Sequence, residues 1–303
     1  MHRAALFRAA GSWFSFLQAD LWVGRGAGRT LAIGMRRGCV SAGRGRGVME
    51  LLVTGSGTAV PSVRRCAAGY SLAVAGQRLQ IDSGPGTMRQ LARFGIAPEQ
   101  VDCLCYTHTH PDHVADLVPF LFASRYGQTE PRTRPLAVVG GRGFGAFLAA
   151  QQAVYGHWLE PDGFALHLHE LATDGADRWA GDGFCIASRP MRHIATSVGL
   201  RVEEVATGRS ICFSGDTEFT DELVRLAAGT DLLVCECANP EAAPMAGHLI
   251  PSQAGRIAAA SGCKALLLTH FYPPCDEADL ITPLRRHYAG PLMLAEDGLR
   301  VVV

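Results

Sequence analysis

Short apolar runs, separated by glycine, proline and polar residues, are the main structural signal from residue 49 onward. Residues 51–54 predict a strand, and residues 71–75 with 78–82 predict a hairpin around Gly76-Gln77. Other apolar runs predict strands at residues 101–106, 137–139, 184–190, 211–213, 232–236, 265–269 and 299–303. Helical patterns occur at residues 84–94, 114–125, 144–155, 221–228, 252–261 and 283–287. Strand-rich ends with helices between them favour an α/β sandwich, in which two sheets pack together and helices lie outside.

Residues 1–48 have a different composition, rich in Arg, Gly and Ala and without an apolar period. Three interpretations compete: an upstream start codon, an Arg-rich transit peptide and a secretory signal. The secretory signal fits badly because no apolar stretch of adequate length follows a basic start. A strand begins directly after Met49, which favours the first interpretation. We therefore expect residues 1–48 to be a leader, disordered or outside the natural protein, and residues 49–303 to form the domain.

The charge distribution argues against a surface that grips long nucleic acid. The chain has 28 Lys and Arg against 28 Asp and Glu, but residues 1–48 hold eight arginines and one acid, Asp20. Residues 49–303 therefore carry 20 basic and 27 acidic groups, a formal net charge of −7, whereas nucleic-acid-binding domains have a basic excess. No apolar run reaches the length of a membrane span, and the ten cysteines form no CxxC pair. A soluble, cytoplasmic protein with reduced thiols is expected, with no membrane partner.

Four potential metal ligands lie within six residues, directly after the predicted strand at 101–106. They are His108, His110, Asp112 and His113. In an extended loop His108 and His110 point the same way, so both can reach one metal ion. Pro111 then turns the chain, so that the next two ligands can reach a second ion. This density of ligands predicts a metal site.

His193, Asp216 and His270 each follow a predicted strand as well. Ligands at the same end of successive strands converge on one cleft, so the chain offers seven ligands for two metal ions. Imidazoles and carboxylates suit Zn²⁺, and also Mn²⁺ or Fe²⁺. A bridging carboxylate holds two ions about 3.5–4 Å apart, and a water between them becomes hydroxide near neutral pH.

Together with Asp82, in the sequence Ile-Asp-Ser-Gly at residues 81–84, this set resembles the metallo-β-lactamase superfamily. The resemblance covers residues 49–303 in the right order and implies an αββα sandwich of two mixed β-sheets. The metal ligands that it implies are His108, His110 and His193 for the first ion, Asp112, His113 and His270 for the second, and Asp216 as the bridge. It also implies a catalytic role for Asp112. For Asp82 it implies the role of an acid that orients a metal ligand through a hydrogen bond.

Within that superfamily, three segments are similar to the ribonuclease Z branch. They are Thr-Gly-Ser-Gly-Thr-Ala-Val-Pro-Ser at 54–62, Phe-Ser-Gly-Asp-Thr at 213–217 and Gly-His-Leu-Ile-Pro at 247–251. The resemblance implies that Glu236 and His248 hand a proton to the leaving oxygen, as an acid that orients a histidine can do. An exposed loop histidine is the alternative interpretation of His248.

Two features depart from the ribonuclease Z pattern. That branch carries a long tRNA-holding arm between its third histidine motif and the bridging aspartate, whereas only 22 residues separate His193 from Asp216. Its His-Glu-Ala-Thr signature is replaced by Cys-Glu-Cys-Ala at residues 235–238. Both features, with the acidic domain, argue against a long nucleic acid partner.

The resulting hypothesis is a hydrolase with two divalent metal ions, most simply Zn²⁺, that cleaves small phosphodiesters such as cyclic or small nucleotides. Hydrolysis of another ester, a lactone or an aryl sulfate, is an alternative, and so is tRNA 3′-processing. A di-iron redox protein and an inactive binding module are alternatives of other classes, and the complete ligand set argues against the inactive module. The resemblance also implies a homodimer.

Removal of residues 1–48 should leave folding and activity intact, because those residues have no core-forming pattern. The measurement compares the chain that starts at Met49 with the full chain in thermal unfolding, soluble yield and hydrolase activity. An insoluble or inactive short form would show that the leader belongs to the fold.

Overall fold

A computed structural model describes residues 47–127 and 132–303 of the chain. Residues 1–46, on which the interpretation of a leader rests, lie outside this part, so that interpretation stays a prediction. Among the described residues, no helix combines the length and the apolar composition needed to cross a membrane.

Fourteen strands and seven α-helices are present in the described part of the chain. The strands are β1 (Glu50–Gly55), β2 (Gly69–Val74), β3 (Gln77–Ser83), β4 (Cys103–Cys105), β5 (Leu136–Gly141), β6 (Leu166–Leu171), β7 (Asp177–Ala180), β8 (Phe184–Pro190), β9 (Val198–Glu204), β10 (Ser210–Phe213), β11 (Leu232–Glu236), β12 (Leu266–Thr269), β13 (Leu292–Leu294) and β14 (Arg300–Val302). The helices are α1 (Thr87–Arg93), α2 (Pro111–Val114), α3 (Leu117–Tyr126), α4 (Phe144–Tyr155), α5 (Asp221–Leu226), α6 (Pro251–Ser261) and α7 (Ile281–Arg285). Three 3-10 helices lie at Pro98–Gln100, Gly156–Leu159 and Pro273–Asp276.

The strands form two seven-stranded sheets, in the orders β14-β1-β2-β3-β4-β5-β6 and β13-β12-β11-β10-β9-β8-β7. Each sheet is mixed. Strands β3 to β6 are parallel in the first sheet, and β10 to β13 are parallel in the second, while the other pairs are antiparallel. The predicted sandwich of two mixed sheets with helices is confirmed.

Alternating side chains along the strands build two apolar layers. On β1, Leu51 and Val53 belong to the large core that also contains Leu200 and Phe213 of the second sheet. Leu52, between them, belongs to a second core with residues of α1, α3 and α4. Since successive side chains of a strand point to opposite faces, one strand contributes to both layers. The first sheet therefore lies between the second sheet and its own helices.

Several predicted boundaries were wrong, each for a local reason. The hairpin turns at Ala75 and Gly76, not at Gly76-Gln77, because these two residues have φ of 50° and 76°, as a two-residue turn between antiparallel strands requires. The helix predicted at 84–94 begins only at Thr87. The strand β13 is short and half-buried, and the sequence pattern missed it.

The helix predicted at 114–125 is α3, which begins only at Leu117, and the separate short helix α2 precedes it. The break occurs because the backbone N–H of Asp116 donates to the Ser83 carbonyl, 2.9 Å away, and not to a carbonyl one turn earlier. Gly84 makes this close approach possible, since a Cβ at that position would lie 2.0 Å from the Asp112 carbonyl oxygen. The start of α2 is therefore packed directly against the end of β3.

Arg132 anchors the chain segment that leads into β4. Its side chain is almost fully buried, at 1% exposure, and its guanidinium donates to the carbonyls of Pro98, Val101, Arg134 and Pro135 at 2.7 to 3.1 Å. Burial lowers the pKa of Arg132 to about 10, so the group stays charged at neutral pH. Four carbonyl groups from two chain segments therefore accept hydrogen bonds from this one buried side chain.

Arg132→Lys should lower the free energy of unfolding by about 2–3 kcal/mol, because an ammonium group cannot reach all four carbonyls. Arg134→Lys is the matched control, since the Arg134 side chain is 60% exposed and pairs with Asp102 at the surface. That control should change stability by less than about 1 kcal/mol. Denaturant unfolding measures both values, and equal losses would contradict the anchoring role.

Candidate metal centre

The predicted site residues meet at one edge of the sandwich, where the carboxyl ends of parallel strands from both sheets lie together. They come from the end of β3, the loop after β4, helix α2 and the segments after β8, β10, β11 and β12. In open parallel sheets this edge is where clefts form. The residues brought together there are Asp82, His108, His110, Asp112, His113, His193, Asp216, Glu236, His248 and His270.

Asp82 fixes the loop that carries the histidine cluster. Its carboxylate accepts hydrogen bonds at 2.8 Å from the Thr107 backbone N–H, the Thr107 hydroxyl and the His113 Nδ1. The His113 bond leaves the Nε2 of that ring directed to the cleft. Sequence reasoning missed Thr107, although its place directly before the first histidine is a usable signal.

One group of ligands contains His108, His110, His193 and Asp216, whose nearest ligand atoms all lie within 4.8 Å of one another. The His193 Nε2 is 3.0 Å from the His110 Nδ1. The other ring nitrogen of His193 lies 2.9 Å from the Gly247 carbonyl oxygen, which fixes the ring. Burial lowers the pKa of both His108 and His193, so these rings favour the neutral form that binds metal.

A second group contains Asp112, His113 and His270 within the same 4.8 Å limit. The Nε2 atoms of the two histidines are 3.3 Å apart, and the Asp112 Oδ2 is 3.4 Å from the His270 Nε2. The backbone N–H of Ala59 donates to the Asp112 Oδ2 at 3.3 Å. This group has the histidine and carboxylate donors of the second predicted metal ion.

The carboxylate of Asp216 lies between the two groups. Its Oδ2 is 3.3 Å from the His113 Nε2, 3.7 Å from the His108 Nε2 and 3.8 Å from the His193 Nε2. Its Oδ1 is 3.3 Å from the His270 Nε2. Although burial raises the pKa of Asp216, the surrounding imidazoles lower it well below its usual value.

The donor atoms at this edge fit bound cations. Ring nitrogens face each other at 3.0 Å and 3.3 Å, where two lone pairs repel unless a proton or a cation lies beside them. The His108 Nε2 and the Asp216 Oδ1 are buried without a hydrogen-bond partner in the described part of the chain. Buried polar atoms are normally paired. A ring nitrogen and a carboxylate oxygen without partners therefore indicate a bound cation.

Glu236 and His248 lie beside this set. The Glu236 carboxylate, 1% exposed, accepts from the backbone N–H groups of Thr217 and Leu249 at 2.7 and 3.1 Å, and lies 3.1 Å from the His248 Nδ1. The Nδ1 of His248 is 4.0 Å from the Asp216 Oδ2. Burial lowers the pKa of His248, but the hydrogen bond to Glu236 and the negative charges of Glu236, Asp216 and Asp112 together raise it more, so the net direction is upward.

The segment between His193 and Asp216 forms a compact hairpin. Strands β9 and β10 pair from Glu203 with Ser210 to Leu200 with Phe213, and residues 205–209 make the turn. Strand β9 also pairs with β8 along its whole length. This hairpin fills the place in the sequence where the ribonuclease Z branch was expected to carry its arm.

Asp82→Asn should weaken metal binding about 10–100-fold, because in either orientation the amide NH₂ faces a donor, either the Thr107 backbone N–H or the pair of Thr107 Oγ1 and His113 Nδ1. Competition with a chelating dye and elemental analysis measure the affinity. Asp174→Asn is the matched control, since the Asp174 side chain is 71% exposed at the surface. Unchanged metal affinity in Asp82→Asn would contradict an orienting role.

Comparisons with known proteins agree with this architecture. A family model described as the beta-lactamase superfamily domain matches residues 77–271. The ribonuclease Z of Thermobifida fusca (strain YX) is 31% identical, and the match covers 84% of this chain and 94% of that relative.

Two solved structures share the fold. The metallo-beta-lactamase fold protein YhfI from Bacillus subtilis superposes with a TM-score of 0.70 at 22% identity, over 84% of this chain and 99% of that one. The short form of human tRNase Z superposes with a TM-score of 0.69 at 24% identity, over 83% and 98%. This chain belongs to the beta-lactamase superfamily, on its ribonuclease Z-like branch, and is a metal-dependent hydrolase.

Proposed function

We propose that the protein is a phosphodiesterase that uses two divalent metal ions and acts on small phosphodiesters. The observation that carries the proposal is the position of Asp216, whose two oxygens lie 3.3 to 3.8 Å from imidazoles of both ligand groups. One carboxylate shared between two sets of donors is the arrangement that holds two ions close together.

The combined charge of the buried carboxylates supports two bound metal ions. Asp82, Asp112, Asp216 and Glu236 are at most 8% exposed and lie at one edge of the sandwich. Glu236 pairs with His248, and the other three side chains carry three negative charges when they are ionised. A buried charge is costly unless it is paired, and one divalent cation supplies too little positive charge for three carboxylates, which supports two ions.

Different residues have different roles in the proposed reaction. When bound, two divalent ions polarise the phosphoryl group and provide a nucleophile at neutral pH. His108, His110 and His193 would hold one ion, Asp112, His113 and His270 would hold the other, and Asp216 would contact both. Asp112 would also be a catalytic carboxylate, and the Ala59 backbone N–H that donates to its Oδ2 holds it in place.

His248 would protonate the leaving oxygen. Glu236 accepts from its Nδ1, so the Nε2 is the atom that can deliver a proton outward. The upward pKa direction of His248 favours the acid form near neutral pH. An alkoxide leaving group needs this proton more than a phenolate does, which favours phosphodiesters with ordinary alcohols over aryl sulfates.

The size of the substrate follows from the short β9–β10 hairpin and from the acidic domain. Neither provides an extended basic surface for a long nucleic acid. A panel assay tests the class: bis-p-nitrophenyl phosphate, cyclic nucleotides, tRNA precursors, lactones and aryl sulfates, with the metal-loaded protein. Turnover of tRNA precursors or lactones alone would refute the proposal.

His248→Ala should slow hydrolysis of an unactivated phosphodiester by about 10²–10⁴-fold while the metal content stays unchanged. The loss should be much smaller for bis-p-nitrophenyl phosphate, because p-nitrophenolate leaves without a proton. The measurements are kcat on both substrates and elemental analysis, with the exposed His287→Ala as the matched control. Asp216→Ala should instead lose metal and all activity. Equal losses on both substrates, or metal loss in His248→Ala, would exclude the general-acid role.

A further inference from the structure

The second ligand group takes its members from both sheets. Asp112 and His113 follow β4 of the first sheet, whereas His270 follows β12 of the second sheet. The three side chains therefore stay at binding distance only while the end of β12 is fixed relative to the first sheet. The contacts that fix this end of β12 determine how tightly a second metal ion can be bound.

His270 differs from other histidines of the site in how its ring is held. The Nδ1 of His113 is hydrogen-bonded to the Asp82 carboxylate at 2.8 Å. The Nδ1 of His193 lies 2.9 Å from the Gly247 carbonyl oxygen. The Nδ1 of His270 is buried and has no hydrogen-bond partner in the part of the chain that the structure describes. Since such a partner is what usually orients a metal-binding histidine, the position of the His270 ring depends on its backbone.

The backbone at His270 needs restraint on both sides. Its φ is 61°, a left-handed conformation that residues with a side chain rarely adopt. After it, the Phe271 N–H donates to the Ser56 carbonyl at 3.0 Å, and the Tyr272 N–H donates to the Ala238 carbonyl at 3.1 Å. These two hydrogen bonds hold the chain that follows His270, so the residue before it becomes the remaining point of freedom.

That residue is Thr269, the last residue of β12, and its side chain is tied to the first sheet. Its hydroxyl lies 2.9 Å from the hydroxyl of Tyr70, which belongs to β2. The two residues are 3% and 5% exposed. The Tyr70 ring packs against Phe213, with the ring centroids 5.6 Å apart, so the core fixes its position. A buried hydrogen bond between the sheets therefore holds the residue directly before His270.

The first ligand group has a connection of its own between the sheets. The Val198 backbone N–H, at the start of β9, donates to the Thr107 carbonyl at 2.9 Å, directly before His108. This bond joins main-chain atoms and does not involve Tyr70. Loss of the Tyr70 hydroxyl should therefore affect the second ligand group and leave the first one unchanged.

We propose that Tyr70 is a positioning residue for the second metal ion, because its hydrogen bond to Thr269 holds His270 in place. This inference rests on the two-ion site of the proposed function. Tyr70 also lines a small cavity of about 10 Å³ together with His113, Asp216 and His270, which places it directly beside the ligand groups.

Tyr70→Phe should weaken binding of the second Co²⁺ ion about tenfold and leave the first ion unchanged, since residues that orient metal ligands have effects of this size. Phenylalanine keeps the ring and its contact with Phe213. The measurement is a stepwise Co²⁺ titration of the metal-free full chain against a competing chelator. The visible absorption bands of bound Co²⁺ report the ligand geometry, so the bands that belong to the second ion should also change.

Tyr288→Phe is the matched control for the loss of a buried hydroxyl. Tyr288 is 6% exposed, and its hydroxyl donates to the Cys263 carbonyl at 3.4 Å, outside the ligand groups. This variant should lose thermal stability as Tyr70→Phe does, but it should bind both Co²⁺ ions as the wild type does. Equal weakening of Co²⁺ binding in the two variants would show an effect of lower stability alone and would overturn the inference.

Variants of Thr269 test the hydrogen bond itself. Thr269→Val should repeat the loss seen in Tyr70→Phe, whereas Thr269→Ser keeps the hydroxyl and should keep the affinity. The double variant Tyr70→Phe/Thr269→Val should bind the second ion no more weakly than either single variant. Its stability should partly recover, because no buried hydroxyl is left without a partner. Recovery of the second-ion affinity together with stability would contradict the positioning role.

The titration also separates this inference from the proposed function, because it needs no hydrolysis of a phosphodiester. A wild type that binds a single Co²⁺ ion would refute the two-ion site and this inference together. A wild type that binds two ions, neither of which is weakened by Tyr70→Phe, would refute the role of Tyr70 alone. Two ions with selective weakening of the second would support the inference whichever ester the protein hydrolyses.

Discussion

The buried carboxylate of Asp216 is the constraint on which the site depends. It is 3% exposed, and imidazole nitrogens of five histidines lie 3.3 to 4.0 Å from its oxygens. These rings come from separate loops at the same edge of both sheets, so any shift between the sheets changes these distances together. A buried charge is stable only while its partners stay within interaction distance. The packing of the two sheets therefore determines the geometry of the site.

Backbone strain at the same edge supports this view. Among the described non-glycine residues, only Ala75, Asp82 and His270 have positive φ, and the last two belong to the site. Such conformations cost about 1–3 kcal/mol each and persist where surrounding contacts hold them. Asp82 is held by three hydrogen bonds at 2.8 Å, and His270 by its contacts with Asp112, His113 and Asp216. The fold therefore holds Asp82 and His270 in unfavourable backbone conformations, which direct their side chains into the cleft.

The sequence predicted which residues lie together at this edge better than it predicted the elements around them. Four ligands in six residues are a local pattern, and the strand-end positions of His193, Asp216 and His270 follow from apolar runs that end in turns. The start of α3 was predicted three residues too early because the break at Asp116 depends on the Ser83 carbonyl, a contact between segments far apart in the chain. Arg132 was missed for the same reason, since nothing in its neighbourhood of the sequence indicates that four carbonyls surround it. Contacts between distant segments decide such details, and periodicity carries no information on them.

Two parts of the molecule with different tasks meet at Gly247. Its φ of 83° and the 2.9 Å between a hypothetical Cβ and the His193 Nδ1 leave room for glycine alone. The ligand groups are built on strand ends, which the two cores hold rigid, whereas the surface beside His248 is built on the loop segments around residues 218 and 244–248. A loop can change its side chains without disturbing the sheets, so substrate preference can vary while the metal donors stay in place. The hydrogen bonds of Gly247 to Glu218 and His193 fix the position of this loop relative to the metal-ligand candidates. They explain why a glycine directly precedes His248.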